Sequence, residues 1–434
     1  MSPLAGPRPA MSPRAKAMLC EQLGDLGTAD DVLLAVAAGA RSRGLPPPAA
    51  LVGEWFGSAA VIAPSVAVRP VDPAEVFPDS PHRVSPPAQS DAVGGGWIGY
   101  LSYPDPGDDG LPPRVPEAAG GWTDFVLRLD RTGCWWFESL SGETPADWLS
   151  AALAVPPVRQ PCEITWQQPD VEQHRTGVLS CLEAIRAGEV YQACVCTQFT
   201  GTVIGSPLDF FADAVSRTGP ARGAYLAGEW GAVASLSPEL FLRRVGTEVC
   251  SSPIKGTLPW HADPGQLLAS AKDVAENIMI VDLVRNDLGR VAVTGSVTVT
   301  ELLAVYPAPG VWHLVSTVSA QVPADLPNSA LLDATFPPAS VTGTPKTRAR
   351  QLLSRWEPHR RGVYCGTVGL TSPVAGCELN VAIRTVEFDA RGGAVLGVGG
   401  GITADSVADA EWQECLHKAA PIVVHDSRAR RTAS

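Results

Sequence analysis

Residues 271–290 read AKDVAENIMIVDLVRNDLGR. Val274, Ile278 and Val281 recur at helical spacing; Asp263-Pro264 upstream offers an N-cap and a first-turn proline, and Gly289 offers a stop. The pattern predicts one helix over 264–288. A second amphipathic helix is predicted over 170–187, with Val178, Leu182 and Ile185 on one face and Gly188 as its stop. A strand follows through VYQACVCTQF (190–199). Segments 379–388 and 394–398 read as a hairpin around DARGG (389–393), leading to GVGGG (397–401) and a last helix near 406–420. Helices and strands mix without a strict strand–helix–strand rhythm, so the fold class is α+β.

Upstream, residues 1–165 are rich in Pro, Gly and Ala, as in GLPPPAA (44–50) and SPPAQSDAVGGG (85–96), with strand-like runs in GGWIGYLSY (95–103) and FVLRL (125–129). AVPPVRQPCEITW (154–166) reads as a connection, because repeated prolines continue neither a helix nor a central strand. We therefore expect an N-terminal region over 1–165, a catalytic domain over 166–425 and a flexible tail over 426–434.

With 434 residues, 45% hydrophobic and 18% charged, the chain can bury a large core. Its net charge of −12 argues against nucleic acid or an anionic membrane as a main partner, since phosphate binding needs a basic face. The ten cysteines show no Cys-x-x-Cys or zinc spacing. Neither a signal-peptide core nor an apolar run of membrane-spanning length is apparent, so a reduced, cytoplasmic setting is expected.

Several segments could carry chemistry. Asp273 and Glu276 share a helix face, and Glu411, Glu414 and Lys418 share another, which suits either an oxygen-liganded Mg²⁺ site or two solvated faces. GVGGG suits a tight turn or a backbone anion site. Arg384, in LNVAIRTV, is read as an edge residue of an apolar strand or a fork for a carboxylate. In TFPPASVTGTPKTRA (335–349) Ser340 and Thr342 belong to a polar loop or a helix start. Glu239 in SLSPELF, His313 in VWHLVST and Lys255 in SSPIKGTLPW each stand alone among apolar or small neighbours.

In order along 165–425, EVYQACVCTQF, SLSPELFL, SPIKGT, AENIMIVDLVRNDLGRV, WHLVST, TGTPKTRA, GVYCGTVG, VAIRTV and GVGGGITADS…EWQECLHKA together resemble the chorismate-binding enzymes. That family includes anthranilate synthase component I, aminodeoxychorismate synthase component I, isochorismate synthase and salicylate synthase. The resemblance implies a large α+β sandwich, two β-sheets packed between helices with the N-terminal part wrapped in. It implies Mg²⁺ held by Glu276 and Glu414, with Asp273 and Glu411 acting directly or through water. Arg384 and Tyr364 match residues that grip the enolpyruvyl carboxylate of chorismate, Gly399 and Gly401 match backbone donors, and Lys418 matches a basic residue beside the metal. His313 matches a histidine near the ring, Thr257, Ser340 and Thr342 complete the substrate-binding set, and Glu239 matches the general acid for the C4 hydroxyl.

Two positions separate the members. Water-adding members resemble one another in a lysine where this chain has Gln192, which cannot act as a base. Lys255 is the form found in the aminodeoxychorismate synthase branch, where the lysine attacks C2 and ammonia then enters at C4. A nucleophilic lysine has to be neutral, and Pro253, Ile254 and Leu258 suggest apolar surroundings that favour this. The chain lacks a Gly-x-Cys-x-Gly elbow, so a separate glutamine amidotransferase (component II) is expected to supply ammonia. Pro338-Ala339-Ser340 and Cys194-Val195-Cys196-Thr197-Gln198 depart from the usual family pattern, and ALVGEWFG (50–57) stands where a tryptophan-binding motif would lie, so no feedback site is expected. The alternatives are an anthranilate or 2-amino-2-deoxyisochorismate synthase component I and, more distantly, a non-catalytic chorismate-binding relative.

Overall fold

The computed structural model describes residues 18–79, 91–105 and 113–423. The expected tail over 426–434, the N-terminal segment MSPLAGPRPAMSPRAK and the first half of SPPAQSDAVGGG lie outside the described residues. Among the described residues, two antiparallel sheets of twelve and ten strands form the frame. The N-terminal strand Ala49–Trp55 pairs with Arg222–Gly228 in the first sheet, and Gly96–Leu101 pairs with Thr367–Ser372 in the second. The two sheets meet through fully buried side chains such as Leu51, Leu226, Ile98, Tyr100 and Leu370. Helices Ala29–Ser42, Pro207–Thr218 and Ala408–Val423 cover the first sheet, where Val36, Phe211 and Cys415 pack beside Ile62, Ala234 and Leu396. The expected α+β sandwich is the fold observed.

Helix Val171–Arg186 begins at Asp170, whose carboxylate accepts from the amides of Glu172 and Gln173, and it buries Val178 and Leu182. The helix predicted over 264–288 is in fact two, Gly265–Ala269 and Ala271–Gly289. Ser270 is extended between them, and its hydroxyl caps the second by accepting from the Asp273 amide at 3.2 Å. Nor is Ile278 on the buried face: it is exposed, while Glu276, Asn277, Ile280, Val281 and Val284 are buried. A stripe drawn through apolar residues alone missed that polar groups occupy the inward face. Asn277 ties the helix to strand Val311–Gln321, accepting from Ser316 Oγ at 2.6 Å and donating to the Leu314 carbonyl at 3.3 Å.

Two further expectations change. Segment 379–388 is not one strand: Gly376–Asn380 belongs to the second sheet and Thr385–Asp389 to the first. GVGGG is not a turn but the body of strand Gly393–Ile402, which pairs in register with Gln192–Ile204. The DARGG turn is as expected, with Asp389 Oδ1 accepting from the amides of Arg391 and Gly393.

Candidate active site

Glu239 sits where the chain leaves strand Gly231–Ser237 of the first sheet for Leu240–Val245 of the second. Arg384 sits where it returns, between Gly376–Asn380 and Thr385–Asp389, with a left-handed φ of 52°. Pro238 has no N–H to continue a ladder, which suits the first crossing. The crossings are bound to each other: the Val381 amide donates to the Glu239 carbonyl and the Leu236 amide to the Arg384 carbonyl, both at 3.0 Å. Ser237 Oγ adds a bond to the Val381 carbonyl at 2.6 Å. Arg384 is thus neither an edge-strand residue nor within a strand at all.

Glu239 is buried, and burial pushes its carboxyl up to about 7 against the opposing pull of the Ser340 hydroxyl, Lys255 and the Ile254 amide. Burial holds Arg384 below its ordinary value, opposed by the charge of Glu239. His313 is buried on strand Val311–Gln321, and burial, followed by the nearby Arg384 charge, lowers it to about 4, so its ring is neutral near pH 7. Its Nδ1 shares a 2.9 Å hydrogen bond with Thr257 Oγ1. Its buried Nε2 has no hydrogen-bond partner among the described residues.

Lys255 lies on strand Ile254–Pro259 in a β-bulge. Ile254 faces Val315 and Thr257 faces His313, so three steps on one strand span two on its partner. Gly256, at φ 86°, permits the extra residue. The bulge sends Lys255 Nζ to the Ser340 carbonyl at 3.1 Å. A methyl group on Gly401 would lie 3.2 Å from Lys255 Nζ, 3.3 Å from Gln192 Oε1 and 3.4 Å from Glu276 Oε2. The bare backbone of Gly401 is therefore the floor on which amine, amide and carboxylate meet. The amine faces the charges of Glu239, Glu276 and Glu414 rather than the apolar trio expected from its flanking residues.

Glu411 and Glu414 project from helix Ala408–Val423. A methyl on Gly400 would lie 3.1 Å from Glu411 Oε2 and 3.5 Å from Glu414 Oε1. Burial raises Glu276, aided by the charges of Glu414 and Asp273 and opposed by those of Lys255 and Lys272. Burial would raise Glu414 too, but the Lys418 ion pair at 2.7 Å, together with the charges of Lys272 and Lys255, more than offsets it, and Glu414 is lowered. Lys418 Nζ also donates to the Gly399 carbonyl at 2.7 Å. Asp273 stands 3.2 Å from where a Gly256 side chain would begin. Among the described residues no three acid, histidine or cysteine side chains are already closed around one point. The donors nevertheless fit Mg²⁺. They are carboxylate oxygens, two of them (Glu276 Oε1 and Glu411 Oε2) are buried without a hydrogen-bond partner among the described residues, and Mg²⁺ takes only a few carboxylates beside water and substrate oxygens.

The remaining residues have more local settings. Ser340 offers its carbonyl to Lys255 and its hydroxyl to Glu239. Thr342 is fully buried; its hydroxyl bonds the Pro338 carbonyl and its own carbonyl accepts from the Cys194 amide at 2.8 Å. Tyr364 packs its ring on the bare face of Gly397, with Cys194, Cys196 and Cys365 nearby. A side chain at Gly399 would press on Cys196 Sγ at 2.6 Å. Sequence reasoning passed over Lys272, whose Nζ lies 3.2 Å from Glu411 Oε1 and 3.9 Å from Glu276 Oε1. Its i,i+4 spacing to Glu276 was the available signal. It also passed over Lys346, which opens helix Lys346–Trp356 and whose ammonium bonds Asp287 at 2.6 Å, tying the Ser340 loop to the long helix.

Comparison with known proteins agrees with this fold. Residues 74–424 match the family described as chorismate binding enzyme. The chain is 42% identical to aminodeoxychorismate synthase component 1 of Escherichia coli over 254 residues, covering 57% of this chain and 56% of that protein. It is 38% identical to the protein of the same name from Klebsiella aerogenes over 344 residues, 75% of each chain. In structure it resembles anthranilate synthase component I from Streptococcus pneumoniae (TM-score 0.68, 23% identity, 98% of this chain and 94% of that one). A menaquinone-specific isochorismate synthase from Escherichia coli is equally similar in fold (TM-score 0.68, 18% identity, 94% and 95%). With the family's segments in order, its fold in place and its model matched over most of the length, the chain belongs to the chorismate-binding enzymes.

Proposed function

We propose that this chain is the chorismate-aminating component of an aminodeoxychorismate synthase, forming 4-amino-4-deoxychorismate from chorismate and ammonia. The observation that carries the reading is the meeting of Lys255 Nζ, Gln192 Oε1 and Glu276 Oε2 over Gly401, beside a buried Glu239 that holds its proton up to about pH 7. An amine stands where a nucleophile is needed, and an amide that cannot act as a base stands beside it.

In this mechanism Arg384 pairs with the enolpyruvyl carboxylate, and neutral His313 presents Nε2 to the ring. Lys255 Nζ forms a bond to C2 while the C4–O bond breaks, and Glu239 gives its proton to the departing hydroxyl, which leaves as water. Ammonia then bonds to C4 as the C2–N bond breaks, returning the Lys255 amine. The ammonium formed at C4 passes a proton to Glu239, so chorismate and ammonia yield aminodeoxychorismate and water. Mg²⁺, held by Glu276 and Glu414 with Asp273 and Glu411 close by, would supply the electrostatic hold on the ring carboxylate. A glutamine amidotransferase of the component II type would supply the ammonia, in keeping with the "component 1" in the relatives' names.

The test is to incubate the protein with chorismate, Mg²⁺ and ammonium and identify the product by chromatography and mass. Aminodeoxychorismate is expected. Fluorescent anthranilate formed without any added lyase would overturn the assignment and favour the anthranilate-type reading, and isochorismate would show that water is the nucleophile.

A further inference from the structure

Lys272 has no place in the reaction just described, yet its ammonium stands among the acids assigned to the metal. Its Nζ is 3.2 Å from Glu411 Oε1 and 3.9 Å from Glu276 Oε1. Both carboxylates are almost fully buried, whereas the lysine side chain is 41% exposed, at the mouth of the site. Glu411 Oε1 is held from behind by Ser406 Oγ at 2.7 Å, so the carboxylate is fixed and the lysine is the part free to move. A divalent ion held by Glu276 and Glu414 with Glu411 close by would bring its two charges next to the carboxylates the ammonium now neutralises. Two cations cannot share those carboxylates at low cost, and a four-carbon stem reaching to solvent offers an exit. Lys418 differs: its ammonium also bonds the Gly399 carbonyl and belongs to the floor of the site.

We infer that Lys272 is a tethered counter-ion for the metal acids, competing with the divalent cation and swinging out to admit it. The inference rests on the metal assignment above. It makes Lys272 a positioning residue that sets how much Mg²⁺ the site requires, without contact with the reacting atoms.

The test is a thermal-shift titration of chelator-treated protein with Mg²⁺, and separately with Mn²⁺, without substrate, for the wild type, Lys272→Met and Lys272→Arg. Methionine keeps the stem and removes the charge. For Lys272→Met we expect a lower melting temperature in chelator and half-saturation at roughly tenfold lower Mg²⁺, the size of two half-exposed ion pairs. Lys272→Arg should titrate close to the wild type. Equal or weaker metal affinity in Lys272→Met would overturn the inference while leaving the metal site standing, since the wild type would still saturate. A wild type that shows no saturable response to either ion would overturn both the inference and the metal assignment. Product identity, measured separately, would remain the test of the amination reading.

Discussion

At the residue scale, the demand on Glu239 is that it be protonated when the C4 hydroxyl leaves. A carboxyl titrating near 7 meets that demand in neutral solution, so kcat/KM for chorismate should fall as pH rises above about 7. Glu239→Gln should lower kcat by on the order of 10²–10⁴-fold and abolish that falling limb. The same shift acts on stability with a definite sign. Between its ordinary 4.5 and about 7 the native state binds the Glu239 proton more tightly than the unfolded chain does, so stability declines as pH climbs through that window. The full contribution is about 3 kcal/mol. Glu239→Gln should therefore melt at a higher temperature than the wild type at pH 8, with the advantage vanishing below pH 4.5. Equal melting temperatures at pH 8 would show that the carboxyl is not shifted. For Lys255→Ala, intact-protein mass spectrometry under turnover should find no chorismate-derived adduct, whereas trapped wild type should carry one.

At the element scale, strand Gly393–Ile402 separates two kinds of glycine. A methyl at Gly401 meets flexible side-chain ends at 3.2–3.4 Å, so Gly401→Ala should fold with little loss of stability while activity drops steeply. A methyl at Gly399 meets Cys196 Sγ at 2.6 Å and the Val195 carbonyl at 2.7 Å, and Gly399→Ala should cost about 1–3 kcal/mol, measured by denaturant unfolding. The sequence made some of this legible. Helix Val171–Arg186 was evident because its apolar face and its glycine stop agreed; the Asp170 cap came to light only in the structure. The long helix was misread at both its start and its face, since Ser270 caps it in mid-pattern and the inward Glu276 and Asn277 look like solvent residues by composition. Arg384 looked like part of a strand because local hydropathy does not register a change of sheet. The acids, the lysine and the histidine were visible as types and in order. That Lys255 and Glu276 converge with Gln192 on Gly401 depends on a bulge and a strand pairing between segments far apart in the chain, which no local pattern carries.

At the scale of the whole molecule, residues on either side of 165 share both sheets. Strand Arg222–Gly228 has Ala49–Trp55 as its neighbour, and Leu226 and Val233 are buried in one cluster with Leu51 and Ile98. Removing residues 1–165 would expose that edge and that apolar face, so a 166–434 fragment should aggregate or bind a hydrophobic dye, while the intact chain should not. A monodisperse, cooperatively melting fragment would contradict this. No helix among the described residues is long and apolar enough to cross a membrane.

The paired crossings that carry Glu239 and Arg384 have a consequence for redesign. Acid and fork are locked to one another by main-chain bonds, so any shear between the sheets moves them as a unit. The amine, in contrast, hangs from a single bulge held at one glycine. The site thus divides into a rigid chassis and an interchangeable tool, and new chemistry on this scaffold is best sought by recasting residues 254–257 while leaving both crossings untouched.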